Sequence, residues 1–289
     1  NGRRRINSMP EFKVDRPVHF NLSDILDSGQ AFMYSEYEDG FLIITKGKRA
    51  FVKELPSENK ILFRVPDVES LEIFKNYFDF SHNYEEDFKR LYELGFPEDV
   101  LSFSNGIRIL NQDAEEIIFT FIISQNNNIK RIKKITRALT ERVGKKCVDE
   151  YGKYFAFPDA KAISTLSIED FKEMGAGYRD SYLYHTSNFL SENPNFLGEV
   201  AELETPLARK KLLTLKGVGP KVADCILLFG FNKRDVFPLD TWMEKVFHER
   251  FDKNEKNRVR MATKGAEEFG ELAGLAQQLY FYHIRRKEK

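Results

Sequence analysis

Two residues carry the most chemistry in this chain. They are Lys221, in the stretch LKGVGPKVADC at residues 215–225, and Asp240, nineteen residues on in VFPLDTWMEKVF. Gly217 and Gly219 allow φ > 0 and close approach by a backbone or a phosphate, while Pro220 presets the φ of a first helical turn. The preceding PLARKKLLTL is periodic, so the unit reads as helix, tight hairpin, helix, with an anion site suited to a DNA phosphate where the second helix starts. Lys221 then falls in a first helical turn, against the positive end of the macrodipole. That position, helped by burial, favours the neutral, nucleophilic amine. Alone, such a lysine reads equally as a snorkelling surface residue or a phosphate contact, and Asp240 alone as the N-cap of the next helix. Together they place an amine and a carboxylate at the starts of successive helices.

The elements that must hold this pair fall into two kinds. From Phe32 to Val65 the runs FMYSEY, FLIITK, RAFVKEL and ILFRV alternate, separated by Asp39-Gly40, Gly47 and the turn-rich PSENK, which predicts an antiparallel meander. After Pro66 the apolar period moves to about 3.6, and Pro and Gly punctuate it into an expected eight to eleven short helices. The class is therefore α+β: an N-terminal antiparallel β-sheet domain with flanking helices over 9–105, then a mostly helical two-lobed domain over 106–289, its hairpin at about 206–229. Residues 1–8, NGRRRINS, read as a vector remnant before Met9.

Composition narrows the function classes. At 289 residues, 42% hydrophobic and 13% aromatic, the chain can bury one large core or two linked ones. It shows no apolar run of membrane-spanning length and no signal peptide, so an intracellular protein, in the cytoplasm or nucleoid if bacterial, is expected. Basic and acidic residues balance at 45 each, but eight Lys or Arg lie within 126–147 against Glu141 alone, and ten acids within 67–99 against three bases. Charge by itself reads first as two solvated helix faces and gives no support to nucleic-acid binding. Cys147 and Cys225 are 78 positions apart and the five histidines are scattered, which argues against a disulfide framework, a metal site or a Ser-His-Asp triad.

With the GVGPK hairpin, Lys221 and the later Asp240 in view, the chain from about Val18 to Ile284 resembles the helix-hairpin-helix DNA glycosylases, and within them those acting on 8-oxoguanine. The resemblance implies that Lys221 attacks C1′ of an extruded nucleotide and forms a Schiff base, with Asp240 stabilising charge on the sugar. Gly217 and Gly219 would hold the DNA backbone. DSGQAF (27–32) resembles the family segment in which the carbonyl at Gly29 accepts a hydrogen from N7 of the oxidised base. LAQQLYF (275–281) implies Gln277 on the Watson-Crick edge and Phe281 on the base face, with Cys225 opposite and Pro238 also in the pocket. FIISQNNNIKRI implies that Asn126 and Arg131 engage the orphaned partner, and GAGYRDSYL that Tyr178 wedges the stack while Arg179 meets the opposite base.

The implied enzyme is a DNA N-glycosylase with lyase activity, monomeric, without cofactor or metal, whose partner is duplex DNA containing 8-oxoguanine. Lys216 stands where the family commonly has a proline, and Trp242 where animal members carry a phosphate-contacting histidine. Two rival readings remain: a monofunctional glycosylase for alkylated or mispaired bases, which needs no Lys221, and a noncatalytic DNA-gripping hairpin, which needs neither Lys221 nor Gln277.

Overall fold

The computed structural model describes residues 8–287, so the segment read as a vector remnant lies outside them apart from Ser8. Before the meander come β1 (Glu11–Asp15) and a short helix α1 (Leu22–Asp27), whose N-cap is the Asn21 side chain. β2 (Tyr34–Tyr37), β3 (Gly40–Thr45), β4 (Lys48–Leu55) and β5 (Lys60–Arg64) follow as antiparallel neighbours. β1 adds to β5, giving the order β1-β5-β4-β3-β2. The central strands β3, β4 and β5 are apolar on both sides because both faces of the sheet are covered there. Ile43, Val52, Ile61 and Phe63 pack with Ile25 and Leu26 of α1, whereas Leu42, Phe51 and Leu62 lie on the other face beside Tyr151.

The helical part runs α2 (Val68–Tyr77), α3 (Tyr84–Glu93), α4 (Glu98–Phe103), α5 (Ala114–Ser124) and α6 (Ile129–Val143), then a hairpin of β6 (Lys146–Asp149) and β7 (Gly152–Phe155). It continues with α7 (Ala160–Ile163), α8 (Ile168–Glu173), α9 (Asp180–Glu192), α10 (Phe196–Glu202), α11 (Thr205–Leu212), α12 (Pro220–Phe231), α13 (Thr241–Arg250), α14 (Arg258–Phe269) and α15 (Ala273–Lys287). Fourteen α-helices, not eight to eleven, thus follow Pro66 among the described residues. The excess lies in pieces such as α7, α8 and α10, of 4, 6 and 7 residues, too short for a 3.6 period to register. None of these helices is long and apolar enough to cross a membrane.

α5 and α12 form the centre of this part. Their buried residues run unbroken from Glu116 to Ile123 and from Val222 to Phe229, as expected of helices enclosed on all sides. The segments on either side of the sheet are tied to later parts of the chain through buried polar groups. Gln30 donates to Arg108 O at 2.8 Å and accepts from Leu110 N at 2.8 Å, while Gln112 donates to Gln30 O at 2.8 Å. Asp79 forms an ion pair with Arg234 and accepts from the Tyr84 hydroxyl at 2.9 Å, and Arg108 Nη1 donates to Asp79 O at 2.7 Å.

One buried group works against stability. Glu116 is 4% exposed, and burial, reinforced by Asp113, pushes its carboxyl up to about 8. The unfolded chain releases that proton near 4.5, so the penalty is absent below pH 4.5 and grows as pH rises to about 8. Glu116→Gln is expected to raise the melting temperature at pH 8 and change it little at pH 4.5. Thermal unfolding of both proteins at the two pH values checks this.

Candidate active site

The hairpin between α11 and α12 is held from three directions. Thr186 Oγ1 on α9 donates to Lys216 O at 2.9 Å, Gln125 Nε2 donates to Gly217 O at 2.8 Å, and Arg209 Nε on α11 donates to Asp224 Oδ1 on α12 at 2.5 Å. Only one of the two glycines takes the left-handed backbone. Gly217 has φ +83°, and a Cβ there would lie 2.4 Å from the Tyr182 ring. Gly219 instead has φ −93° and N-caps α12 from an extended conformation, so its φ > 0 expectation is corrected. A Cβ on Gly219 would meet nothing within 4 Å, which leaves the approach to the helix start open. The carbonyl of Lys216 is pinned by Thr186 and its side chain is exposed.

Pro220 opens α12 and Lys221 follows in its first turn. The Lys221 ammonium sits 5.2 Å from the centroid of Phe121, a buried ring that stacks on Phe229 and meets Phe32 edge-on at 6.0 Å. Cys225, one turn along α12, is 3% exposed. Burial pushes its thiol up to about 11, partly offset by the Lys221 charge, so at neutral pH it presents S–H and not a thiolate. Asp240 is half-buried and caps α13, accepting from Met243 N at 2.9 Å. It adds negative potential at Cys225. Pro238, two residues earlier, is buried, and Trp242, two residues later, is half-buried with the Lys245 ammonium 4.6 Å from its ring.

The remaining candidate residues lie on α15 and the loop after α1. Gln277 is 5% exposed, and its amide oxygen is buried without a hydrogen-bond partner. Such an oxygen is costly unless a ligand donates to it. Phe281 lies one turn further along α15 and faces Gly29: a Cβ on Gly29 would come within 3.2 Å of its ring. The Gly29 backbone is fixed from both sides, by Gln278 Nε2 donating to Ser28 O at 2.8 Å and by the Gln30 bonds.

The asparagine loop and the Gly-Tyr-Arg turn meet beside the hairpin. Asn126 is exposed at φ +45°, Asn128 caps α6 by accepting from Arg131 N at 2.9 Å, and Arg131 Nη2 reaches Gly175 O at 2.9 Å. Tyr178 is 53% exposed and its hydroxyl donates to Gln125 O at 3.2 Å. Arg179, expected to meet an opposite base, is only 2% exposed. Its guanidinium donates to the carbonyls of Ala176 at 3.0 Å, of Asn126 at 2.9 Å and of Gln125, and so shapes the loop from inside. An unpaired buried guanidinium is costly, and the three carbonyls hold it inward.

Three further residues escaped the sequence reading. Gln125 links the asparagine loop to the hairpin, Gln278 pins Ser28, and Phe121 underlies Lys221. The glutamines had a signal in their position next to Asn126 and Gln277; Phe121 looked like any core residue of α5.

Residues 13–118 match the 8-oxoguanine DNA glycosylase N-terminal domain, and residues 119–271 match HhH-GPD superfamily base excision DNA repair proteins. The chain is similar to the Methanothermobacter thermautotrophicus protein named "Probable N-glycosylase/DNA lyase", 30% identical over 64% of this chain and 66% of that one. It is also similar to the Arabidopsis thaliana N-glycosylase/DNA lyase, 34% identical over 61% of this chain and 51% of that one. The chain thus matches between half and two thirds of the length of these curated relatives. In structure it is similar to the Clostridium acetobutylicum 8-oxoguanine glycosylase/lyase in complex with dsDNA containing cytosine opposite 8-oxoG. That match has 32% identity and a TM-score of 0.92, and covers 98% of this chain and 99% of that one.

Arg179→Met removes the donors that shape the asparagine loop. Denaturant unfolding is expected to show a loss of ~2 kcal/mol or more, and amide hydrogen exchange at residues 125–128 should accelerate.

Proposed function

The chain belongs to the HhH-GPD superfamily of base excision DNA repair proteins, with an N-terminal domain of the 8-oxoguanine DNA glycosylase type, and on that premise we propose that it excises 8-oxoguanine from duplex DNA and then nicks the strand. A base inside a duplex is out of reach of any side chain, so the nucleotide must be extruded. The hairpin grips the backbone through the open start of α12, and exposed Asn126 and Tyr178 fill the vacated space. The purine enters between Cys225 and Phe281.

One observation carries this reading above the others: the buried, unpartnered Gln277 oxygen one helical turn from Phe281. It suits the N–H donors on the Watson-Crick edge of a guanine, and a module that only grips DNA has no use for it. The Gly29 carbonyl reads the other edge. It accepts a hydrogen from N7, which 8-oxoguanine offers and guanine lacks, so the oxidised base is distinguished by one donor.

Lys221 Nζ forms a bond to C1′ as the C1′–N9 bond breaks. Loss of a proton and ring opening give the Schiff base, and removal of a C2′ proton expels the 3′ phosphate by β-elimination. Asp240, held by its cap bond to Met243, stabilises positive charge developing on the sugar. Among the described residues Lys221 makes no ion pair within 4.0 Å, so its amine is not committed to Asp240. The neutral Cys225 thiol gives the base a polarisable face without competing as a nucleophile.

On duplexes carrying 8-oxoguanine opposite each of the four bases, the protein is expected to release the base, cut the strand and be trapped covalently by borohydride. Lys221→Gln should abolish trapping. Undiminished trapping in that variant would remove Lys221 as nucleophile, and base release without any trapping would identify a monofunctional enzyme. Gln277→Ala should slow excision by about tenfold, the equivalent of one lost hydrogen bond, as measured in single-turnover assays.

A further inference from the structure

α15 sends a third side chain to the pocket wall, Arg285, one turn after Phe281, and the chemistry above leaves it without a task. Arg285 is 8% exposed. Its guanidinium carbon lies 5.5 Å from the Phe281 centroid, and its Nη1 would be 3.5 Å from a Cβ on Gly29, so it borders the same space as the Gly29 backbone. The charge is poorly answered. Nε and Nη2 are buried without hydrogen-bond partners. The facing carboxylate, Asp27, is 3.5 Å from Nη2 and is shared with Arg286, which approaches it to 2.6 Å. Nearby are Tyr34, kept neutral because burial pushes its hydroxyl up to about 12, and the half-buried ammonium of Lys133, 3.4 Å from the Tyr34 ring. Asp27 acts on Arg285, and Asp27 with Glu36 acts on Tyr34 and Lys133. Two guanidiniums thus share the one carboxylate of Asp27.

We propose that Arg285 binds the carbonyl oxygens flanking N7 of 8-oxoguanine and stabilises the base as an anionic leaving group. The proposal rests on the reading of Lys221 and Gly29 above. As Nζ bonds to C1′, the electron pair of the C1′–N9 bond stays on the purine and spreads from N9 onto O8 and O6. These two oxygens sit on either side of the N7–H that Gly29 reads. A proton from the new C1′-bound ammonium then passes to the base, which leaves neutral, while the sugar stays bonded to Nζ as a neutral amine. A guanidinium already in place, in a wall with little water, needs no reorganisation at the moment the charge appears. It therefore favours the transition state over the bound substrate.

The test separates base expulsion from strand cleavage, using the full chain with Arg285→Met and Arg285→Lys. Single-turnover excision from an 8-oxoguanine duplex is expected to slow on the order of 10²-fold in Arg285→Met, with part of the loss recovered in Arg285→Lys. Cleavage and borohydride trapping on the same duplex with a pre-formed abasic site, which has no base to expel, should change by no more than about twofold. Equal slowing of both reactions assigns Arg285 to folding alone and overturns the proposal, as does undiminished excision in Arg285→Met. If the unaltered protein releases no 8-oxoguanine, the functional reading fails and the proposal falls with it, a result distinct from either.

Discussion

The proposed base site spans a seam, and its geometry depends on that seam staying shut. Gly29 comes from the sheet side of the chain and Phe281 from the last helix, and their approach leaves no room for a methyl group on Gly29 without movement of the ring. Apolar packing alone would tolerate sliding, because it is not directional. Buried hydrogen bonds do not tolerate it. The Gln278 amide on Ser28 O, the paired bonds of Gln30 and the Asp79–Arg234 ion pair each fix position and orientation. Breaking any of them strands a polar group away from water.

The hairpin is a second rigid unit set against this seam. Its tight turn exists because the Tyr182 ring occupies the place a side chain on Gly217 would need. Its outer carbonyls are taken by Thr186 and Gln125, so it is joined to α9 and to the asparagine loop. The hairpin and the asparagine loop are thereby one connected piece. Arg179 belongs to that piece: its guanidinium donates to the loop carbonyls, while Asn126 and Tyr178 stay exposed. Lys221 stands where the two units meet, above Phe121, which touches Phe32 from the Gly29 segment.

Local elements were legible wherever the signal was local. The meander could be read because Asp39-Gly40 and the Pro56 turn separate runs of five to eight apolar-rich residues. β1 is short and exposed at alternate positions, and it joins the sheet next to β5, far along the chain, so pairing and not propensity makes it a strand. The β6–β7 hairpin has the same character, and its turn residue Tyr151 serves the sheet's outer face. The hairpin helix was legible because Pro220, the glycines and the Asp240 cap act within one turn of the chain.

The sequence by itself determined the α+β class, the helix-hairpin-helix unit and the residue types at its chemical positions, because capping, turn formation and periodicity are decided by neighbours a few residues apart. It could not decide which way Arg179 points, that Gly219 is extended while Gly217 is left-handed, or that Arg285 stands beside Gly29 across more than 250 residues. Those outcomes depend on which polar groups are left unpaired once the two parts close on each other, and only the folded chain settles that.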